Sequence, residues 1–189
     1  MRYATKLNEY FSGDKSLFLI PLYQLSYAWQ RKHCERLFSD LEKVHNNHVY
    51  SHFFGSIVTV KASELEDDLL IIDGQQRITT ISLLILAAIH SVKNGQMKCE
   101  LGDEYISDQR NKYLVAKYRK GERKIKLRPI DNDIKAYDAL MADDVDQIVP
   151  ADKSGITSNF QLFCTLIKAS NMTFENLIEA VERLIVIDI

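Results

Sequence analysis

One stretch of the sequence, residues 69–92, constrains the fold more than any other. The apolar run from Leu69 to Ile72 has the length of a buried β-strand, and the pair Asp73-Gly74 that follows is typical of a tight turn. An almost uninterrupted apolar segment then runs from Ile78 to about Val92, which is the pattern of a helix buried on most of its surface. The stretch therefore predicts a buried strand, a turn and a central helix that ends near Asn94-Gly95.

The polar residues at the start of this helix indicate a binding site. The first N–H groups of a helix have no partner within the helix, and the helix dipole makes this end partly positive, so a phosphate binds there readily. Arg77 adds a planar guanidinium suited to phosphate, and Gln75 and Gln76 offer amides that can orient a water molecule or a base edge. Asp73 can hold a metal ion or accept from a ribose hydroxyl. An ordinary turn with a solvated first helical turn stays open as the alternative.

Composition limits the classes to which the protein can belong. The chain has 189 residues, of which 46% are hydrophobic and 26% charged, as expected for one globular domain. The formal net charge of −2 gives no global attraction to nucleic acid, so any DNA contact would need a local basic patch. The three cysteines lie far apart, which argues for a reducing compartment and against a zinc site. With no signal peptide and no apolar run of ~18 residues, we expect a cytoplasmic protein without a membrane partner.

The hydrophobic periodicity predicts a chain of mixed helices and strands. Helices are predicted at 4–12, 33–46, 109–118, 131–141, 156–169 and 173–184, and strands at 17–20, 52–60, 125–130 and 184–189. Residues 22–31, here called the aromatic loop, contain the only Trp and are expected either to pack on the core or to offer stacking surfaces. Because the sequence ends inside an apolar strand, we expect a fragment of a longer protein.

Four groups of charged or ligating residues are interpreted as surface features, with a metal or phosphate site as the alternative for some of them. The acidic run Glu66-Asp67-Asp68 is interpreted as a solvated hairpin, and Asp143 to Asp146 as an acidic turn. The histidines near residue 48 have no Cys or carboxylate at a zinc-site spacing. A basic cluster suggests either a solvated hairpin or a patch that faces phosphate, and it comprises Arg119, Lys120, Arg123, Lys124, Lys126 and Arg128.

Three segments, taken in order, resemble the GmrSD-type restriction endonuclease N-terminal domain. The run from Asp73 to Arg77, followed by Ile78-Thr79-Thr80, resembles the family's DGQQR-[LI]-T-T signature. Residues 20–29 resemble its I-P-x-Y-Q-R-x-Y-x-W segment, and residues 53–57 resemble its F-L-G-S-I strand. The order and spacing of the three segments also match, and the resemblance covers roughly residues 5–92 well and the remainder loosely.

The resemblance implies an α/β (α+β) fold with a ParB/sulfiredoxin-like core, a small mixed sheet and a mainly helical C-terminal part. We therefore expect a nucleotide-binding core over residues 1–95 and a helical extension of the same domain over residues 96–189, truncated at its C-terminus. The implied function is that of the NTP-binding and NTP-hydrolysing specificity domain of a modification-dependent restriction or phage-defence endonuclease. The implied partners are a nucleotide, modified DNA and an HNH-type nuclease domain, C-terminal or in trans, because the chain lacks an HNH-like Cys/His arrangement.

The resemblance and the chemistry together assign roles within the motif. Arg77 would grip the β- and γ-phosphates of an NTP, Gln75 or Gln76 would position the attacking water, and Asp73 would hold Mg²⁺ or the water. These four residues form the candidate catalytic set. Backbone N–H groups of Gln76 to Ile78 would cradle the phosphate oxygens, and Thr79 or Thr80 would assist. Tyr23 and Gln24 of the aromatic loop would line the site or read DNA. The candidate nucleotide-binding residues are Gly74, Arg77, Ile78, Thr79, Thr80, Tyr23 and Gln24.

The chain departs from the family pattern at one position. Leu25 stands where the family's Tyr-Gln-Arg has its Arg, so a charged fork has become an apolar side chain, for which Arg31 is the nearest substitute. A non-catalytic switch module that binds nucleotide or DNA phosphate and controls a missing nuclease domain is therefore the alternative function. A structural protein with an incidental DGQQR turn is a third. The sequence does not specify which NTP is bound, which DNA modification is read or which oligomer forms.

Overall fold

The computed structural model describes residues 3–11, 17–63, 68–117, 123–142 and 154–188. The strands in these segments are β1 Tyr3–Lys6, β2 Phe18–Leu19, β3 His52–Lys61, β4 Leu69–Asp73, β5 Val115–Lys117, β6 Arg123–Ile125, β7 Leu127–Arg128 and β8 Leu184–Asp188. The helices are α1 Leu7–Phe11, α2 Arg31–Asn46, α3 Gln75–Lys93, α4 Gly102–Tyr113, α5 Asp131–Met141, α6 Gly155–Ala169 and α7 Phe174–Glu182. This mixture confirms the α+β fold class predicted from the sequence.

The main sheet has six strands in the order β1-β8-β3-β4-β2-β7. It is mixed, because β8 pairs antiparallel with β1 and parallel with β3, while β4 pairs antiparallel with β3 and parallel with β2. Strands β5 and β6 form a separate antiparallel pair. Two strands of the C-terminal half, β7 and β8, thus complete the sheet that the N-terminal half begins. The division at residue 95 and the ParB/sulfiredoxin likeness of the core stay predictions.

Helix α3 is the centre of the hydrophobic core. Of its 19 residues, 13 are buried, and α6 packs along it. Each fully buried Leu or Ile contributes about 1.5–3 kcal/mol relative to an exposed one, so the apolar run that begins at Ile78 dictates this position. The helix ends at the C-cap Asn94, followed by Gly95 with φ 67°, as the sequence predicts. Its N-terminus is therefore held rigidly at the end of β4.

Strand β3 changes its partner halfway along its length. Residues His52 to Ile57 pair with β8, whereas Val58 to Lys61 pair with β4. Each ladder contains one extra residue, Phe54 on β3 opposite β8 and Ile72 on β4 opposite β3. Such bulges leave the extra residue without its ladder partner and redirect side chains. Both irregularities lie beside the point where β4 ends and α3 begins.

Three secondary-structure predictions are correct over only part of their length, because strand pairing decides the conformation of the rest. The helix predicted at 4–12 is present as α1 over Leu7–Phe11, whereas Tyr3–Lys6 forms β1, which pairs with β8 at the other end of the chain. The helix predicted at 109–118 occupies 102–113 instead, and Val115–Lys117 forms β5 against β6. The strand predicted at 125–130 is divided into β6 and β7. The helices predicted at 33–46, 131–141, 156–169 and 173–184 are confirmed, as are the strands at 17–20, 52–60 and 184–189, to within a few residues.

Two charged residues expected at the surface are buried instead. Lys126 is 1% exposed, and its ammonium donates to the carbonyls of Phe11 and Lys112. Asp68 is 5% exposed and accepts from the N–H of Leu17 at 3.1 Å. Lys126 is thus neither in a solvated hairpin nor in a phosphate-facing patch, and Asp68 is not solvated. The remaining residues of these clusters that lie outside the described side chains are Glu66, Asp67, Arg119, Lys120, Arg123 and Asp143 to Asp146.

In the parts of the chain that the structure describes, no helix is both long and apolar enough to cross a membrane.

Candidate functional site

The predicted turn between β4 and α3 is pressed against β3. Gly74 is the N-cap of α3 and has φ 92° and ψ 5°, a left-handed conformation that side-chain-bearing residues rarely adopt. A Cβ at this position would lie 3.1 Å from the carbonyl oxygen of Ser56 and 3.1 Å from Cγ1 of Ile57. Both the backbone conformation and the lack of space therefore require glycine. The close packing fixes the direction in which the helix N-terminus points.

The helix N-terminus offers two backbone donors. The N–H groups of Arg77 and Ile78, at 3.0 and 3.1 Å, donate to the carbonyl oxygen of Gly74 and are engaged within the turn. Among the described residues, no acceptor lies on the N–H of Gln75 or Gln76, and no side chain caps the helix. The two N–H groups without an acceptor are thus those of Gln75 and Gln76, whereas the sequence analysis expects the N–H groups of Gln76 to Ile78 to cradle a phosphate.

Arg77 folds back over β3 instead of extending into solvent. Its Nη1 donates to the carbonyl oxygen of Ser56 at 2.9 Å, on the side of β3 where β4 has ended. Gly55, with φ 128°, makes room for it, since a Cβ there would lie only 2.5 Å from Nε of Arg77. Nη1 also lies 4.0 Å from a carboxylate oxygen of Asp73. The guanidinium is held in one place, and the side chain remains 30% exposed.

Two glutamines of the family motifs fasten the aromatic loop to this corner. Oε1 of Gln76 accepts from the N–H of Ala28 at 2.9 Å, and its Nε2 donates to the carbonyl of Ser26 at 3.3 Å. Nε2 of Gln24 donates at 2.9 Å to the carbonyl of Ile72, the residue at the β4 bulge. Both amides thus bind backbone groups in the way that a neighbouring strand would. Gln76 acts here as a positioning residue for the loop.

Thr80 and Tyr27 form a buried hydroxyl chain behind the turn. The hydroxyl of Thr80 donates to the carbonyl of Gln76 at 2.7 Å and accepts from the Tyr27 hydroxyl at 2.8 Å. Nδ2 of Asn159 donates to the same Tyr27 oxygen at 3.2 Å. Burial raises the pKa of Tyr27 well above its ordinary value, so the phenol stays neutral and donates. Thr79 is buried as well, at 2% exposure.

Two residues of the C-terminal part hold the aromatic loop from the other side. Asp133 in α5 accepts from the N–H of Tyr27 at 2.7 Å, and Asn159 in α6 donates to the carbonyl of Trp29 at 2.7 Å. The sequence analysis missed both, because each lies more than 100 residues from its partner and belongs to no local motif. The contact of Arg77 with Gly55 was not predicted either, although a glycine inside a strand can indicate that another group approaches the backbone closely.

The remaining candidate residues differ in exposure. The Asp73 side chain is 64% exposed, and Gln75 is half-buried with no hydrogen-bond partner among the described residues. Tyr23 and Leu25, the latter in place of the family's Arg, are 74% and 79% exposed. Asp73, Gly74, Gln75 and Arg77 thus share one corner. No hydrogen bond or ring contact within the described segments ties Tyr23 to it.

The corner has the chemistry of an anion site with one carboxylate at its rim. The helix dipole, two backbone donors and the Arg77 guanidinium all favour a phosphate. The described residues contain no group of three His, Cys, Asp or Glu side chains that could hold a metal by itself. A single exposed carboxylate such as Asp73 suits Mg²⁺, which binds through one or two carboxylates together with phosphate oxygens.

Comparison with known proteins agrees with the motifs. The sequence profile described as "GmrSD restriction endonuclease, N-terminal domain" matches residues 7–187, nearly the whole chain. The match therefore includes α4 to α7 and β5 to β8, for which the motifs of the N-terminal half gave only a loose resemblance. Among curated proteins there is no match.

Proposed function

The chain belongs to the family of GmrSD restriction endonuclease N-terminal domains, and from this premise we propose that it binds and hydrolyses an NTP at the Asp73–Arg77 corner. Membership places the chain in a restriction, and hence phage-defence, context. The proposal adds the ligand, the position of its phosphates and the residues that act on it. In this proposal the chain is the regulatory and specificity part of the endonuclease, and an HNH-type nuclease domain, C-terminal or in trans, cuts modified DNA.

One observation carries the proposal. The N–H groups of Gln75 and Gln76 open a rigid helix and have no acceptor among the described residues, and Arg77 is fixed beside them by Ser56 and Gly55. A positioned guanidinium next to backbone donors at a helix N-terminus is suited to bind the oxygens of a phosphate chain. Both glycines that create this arrangement have positive φ, which glycine adopts readily, so the backbone follows a path here that residues with a side chain would find strained.

The residues at the corner divide the work of hydrolysis. Arg77 binds phosphate oxygens through the guanidinium donors that Ser56 does not occupy, and the N–H groups of Gln75 and Gln76 hold the oxygens on the other side. Gln75, whose amide has no partner among the described residues, orients the attacking water. Asp73 would hold Mg²⁺, which supplies charge neutralisation at the phosphates when it is bound.

A second function, a binding switch without turnover, is favoured by the positions of Gln76 and Arg77. Both polar atoms of the Gln76 amide already bind the backbone of Ser26 and Ala28, so Gln75 is the amide with both atoms available to orient water. Arg77 already binds a carbonyl, and Leu25 brings no second guanidinium. Under this alternative, nucleotide binding fixes the aromatic loop and signals to the nuclease domain, while hydrolysis occurs only in the assembled endonuclease.

Phosphate release separates the two functions. We expect this chain with Mg²⁺ and an NTP to release inorganic phosphate, and Gln75→Ala to abolish release while nucleotide binding persists. Gln161→Ala, which changes an exposed glutamine on α6, is the matched control and keeps full activity. Binding without release in the wild-type chain, followed by release when the nuclease domain is added, would favour the switch.

A further inference from the structure

A cleft between α2 and β3 opens next to the Asp73–Arg77 corner. Its volume is about 300 Å³, and its walls include Trp29, His33, Asp40, Phe53 and Phe54. Ligand pockets in proteins span about 300–1,000 Å³, so the size suits one planar ring system and not a whole nucleotide. This α2–β3 cleft takes no part in the phosphate chemistry proposed above.

Aromatic side chains form much of the cleft wall. The rings of Trp29 and Phe54 lie edge to face, with centroids 6.4 Å apart and planes at 75°. Phe53, the residue before Phe54, is 61% exposed, although a phenylalanine on a central strand is normally covered. The β3 bulge at Phe54 accounts for this arrangement, because it interrupts the alternation of side chains along the strand. The wall therefore presents exposed π surface on which a planar ligand can stack.

The polar groups in the cleft are His33, Arg36 and Asp40 on α2 and His52 on β3. Nδ1 of His33 accepts from the N–H of Gln30 at 3.1 Å, so the neutral imidazole carries its proton on Nε2 and can donate. Asp40, seven residues further along the helix, has a carboxylate that lies 3.6 Å from Nε2 of His52 and 3.3 Å from Nζ of Lys43, and 21% of its side chain is exposed. A planar ligand with both acceptors and N–H donors at its edge therefore has complementary groups in the cleft.

The cleft and the phosphate corner share two structural joints. Gln76 binds the N–H of Ala28, the residue before Trp29, and the Arg77 guanidinium lies over Gly55, the residue after Phe54. Trp29 and Phe54, whose rings meet in the cleft, are thus sequence neighbours of Ala28 and Gly55, the two residues that the motif side chains contact.

We infer that the α2–β3 cleft holds the nucleobase of the NTP whose phosphates bind at the Asp73–Arg77 corner. The inference rests on the proposed function and adds the position of the base. Trp29 and Phe53 provide the stacking surface, while His33 and Asp40 face the base edge. A phosphate chain without a base uses the corner alone.

The experiment compares NTPs with inorganic tripolyphosphate, each with Mg²⁺, by thermal shift and by tryptophan fluorescence. Trp29 is the only tryptophan of the chain, so its emission reports directly on the cleft. Phe53→Ala removes a largely exposed ring, and Val60→Ala, which changes a 47% exposed residue on the same strand outside the cleft, is the matched control. Both variants are expected to fold because neither residue is in the core.

The inference predicts that NTPs quench Trp29 and raise the melting temperature, whereas tripolyphosphate raises the melting temperature without quenching. Phe53→Ala should weaken NTP binding by about 5- to 150-fold, the range for loss of one base–aromatic stack, and leave tripolyphosphate binding unchanged. Val60→Ala should behave as wild type.

Two other results would overturn the inference in distinguishable ways. Binding of NTP and tripolyphosphate with equal affinity, no quenching and no effect of Phe53→Ala would remove the base from the cleft and leave the proposed function standing. If neither NTP nor tripolyphosphate shifted the melting temperature, both the inference and the proposed function would be refuted.

Discussion

Replacing Gly55 by alanine should displace Arg77 from β3. The new Cβ would lie 2.5 Å from Nε and 3.0 Å from Cζ of Arg77. Because the guanidinium is at the end of a flexible side chain, it moves in preference to the strand, and its hydrogen bond to Ser56 is lost. The backbone at φ 128° also becomes strained with any side chain. The substitution thus changes the candidate site by displacing Arg77, and it changes β3 by straining its backbone.

The expected cost has two parts. Backbone strain in this region costs about 1–3 kcal/mol, and loss of one hydrogen bond costs about 0.5–1.5 kcal/mol. Gly55→Ala should therefore lower the free energy of unfolding by about 2–4 kcal/mol and weaken nucleotide binding. Gly102→Ala is the matched control, since Gly102 has φ 79° with no atom within 4 Å of the new Cβ. It should cost only the left-handed strain of about 1–2 kcal/mol and leave nucleotide binding intact.

Urea unfolding of a double-mutant cycle with Arg77→Ala measures the contact separately. In the Arg77→Ala background the clash and the hydrogen bond are both absent, so Gly55→Ala should cost only the strain. The coupling energy between the two positions should then be about 1 kcal/mol. If Gly55→Ala lowered the free energy of unfolding equally in both backgrounds, the reasoning that Gly55 makes room for Arg77 would be refuted.

Three further substitutions test neighbouring parts of the account. Gln76→Glu removes the donor to the Ser26 carbonyl and should lower the free energy of unfolding by about 1–3 kcal/mol, whereas Gln75→Glu should change it by less than about 0.5 kcal/mol, both measured in urea. Lys126→Met leaves two buried backbone carbonyls without their donor and should cost about 2–5 kcal/mol in the same assay, and a cost below 1 kcal/mol would contradict it. Burial raises the pKa of Glu175, but hydrogen bonds from neighbouring groups outweigh this and hold it at about 2, below its ordinary 4.5. The stabilisation is therefore present above pH 4.5 and is lost as the pH falls towards 2, so the melting temperatures of wild type and Glu175→Gln should differ near pH 7 and converge in acid.

The strand, turn and central helix could be predicted because their determinants are local. An apolar run of strand length, Asp73-Gly74 and the apolar segment from Ile78 lie within 24 residues of one another, and each acts through its own neighbours. The left-handed Gly74 is required by the turn itself. Residues 3–6 could not be predicted in the same way, because β1 exists only through its pairing with β8 at the other end of the chain.

The roles of individual site residues depend on partners that are distant in sequence, so they are harder to predict from the sequence. Gln76 looks like a solvated residue of a first helical turn, yet its partners Ser26 and Ala28 lie about 50 residues earlier. Lys126 reads as part of a basic surface cluster, but the carbonyls that bind it come from Phe11 and Lys112. Side-chain chemistry indicates what a residue can bind, and the fold decides which backbone groups it meets. The catalytic and nucleotide-binding assignments stay predictions for the same reason.

The most direct test of the central claim is nucleotide binding at the Asp73–Arg77 corner, measured by thermal shift with the four NTPs and Mg²⁺. A ligand at 100 times its Kd stabilises the native state by about 2.7 kcal/mol, which corresponds to about 5–10 °C for a chain of this size. We expect such a shift for at least one NTP in wild type and in Lys168→Ala, a control that changes an exposed cation on α6, and none in Arg77→Ala. No shift with any NTP well above millimolar concentration, or an equal shift in Arg77→Ala, would contradict it.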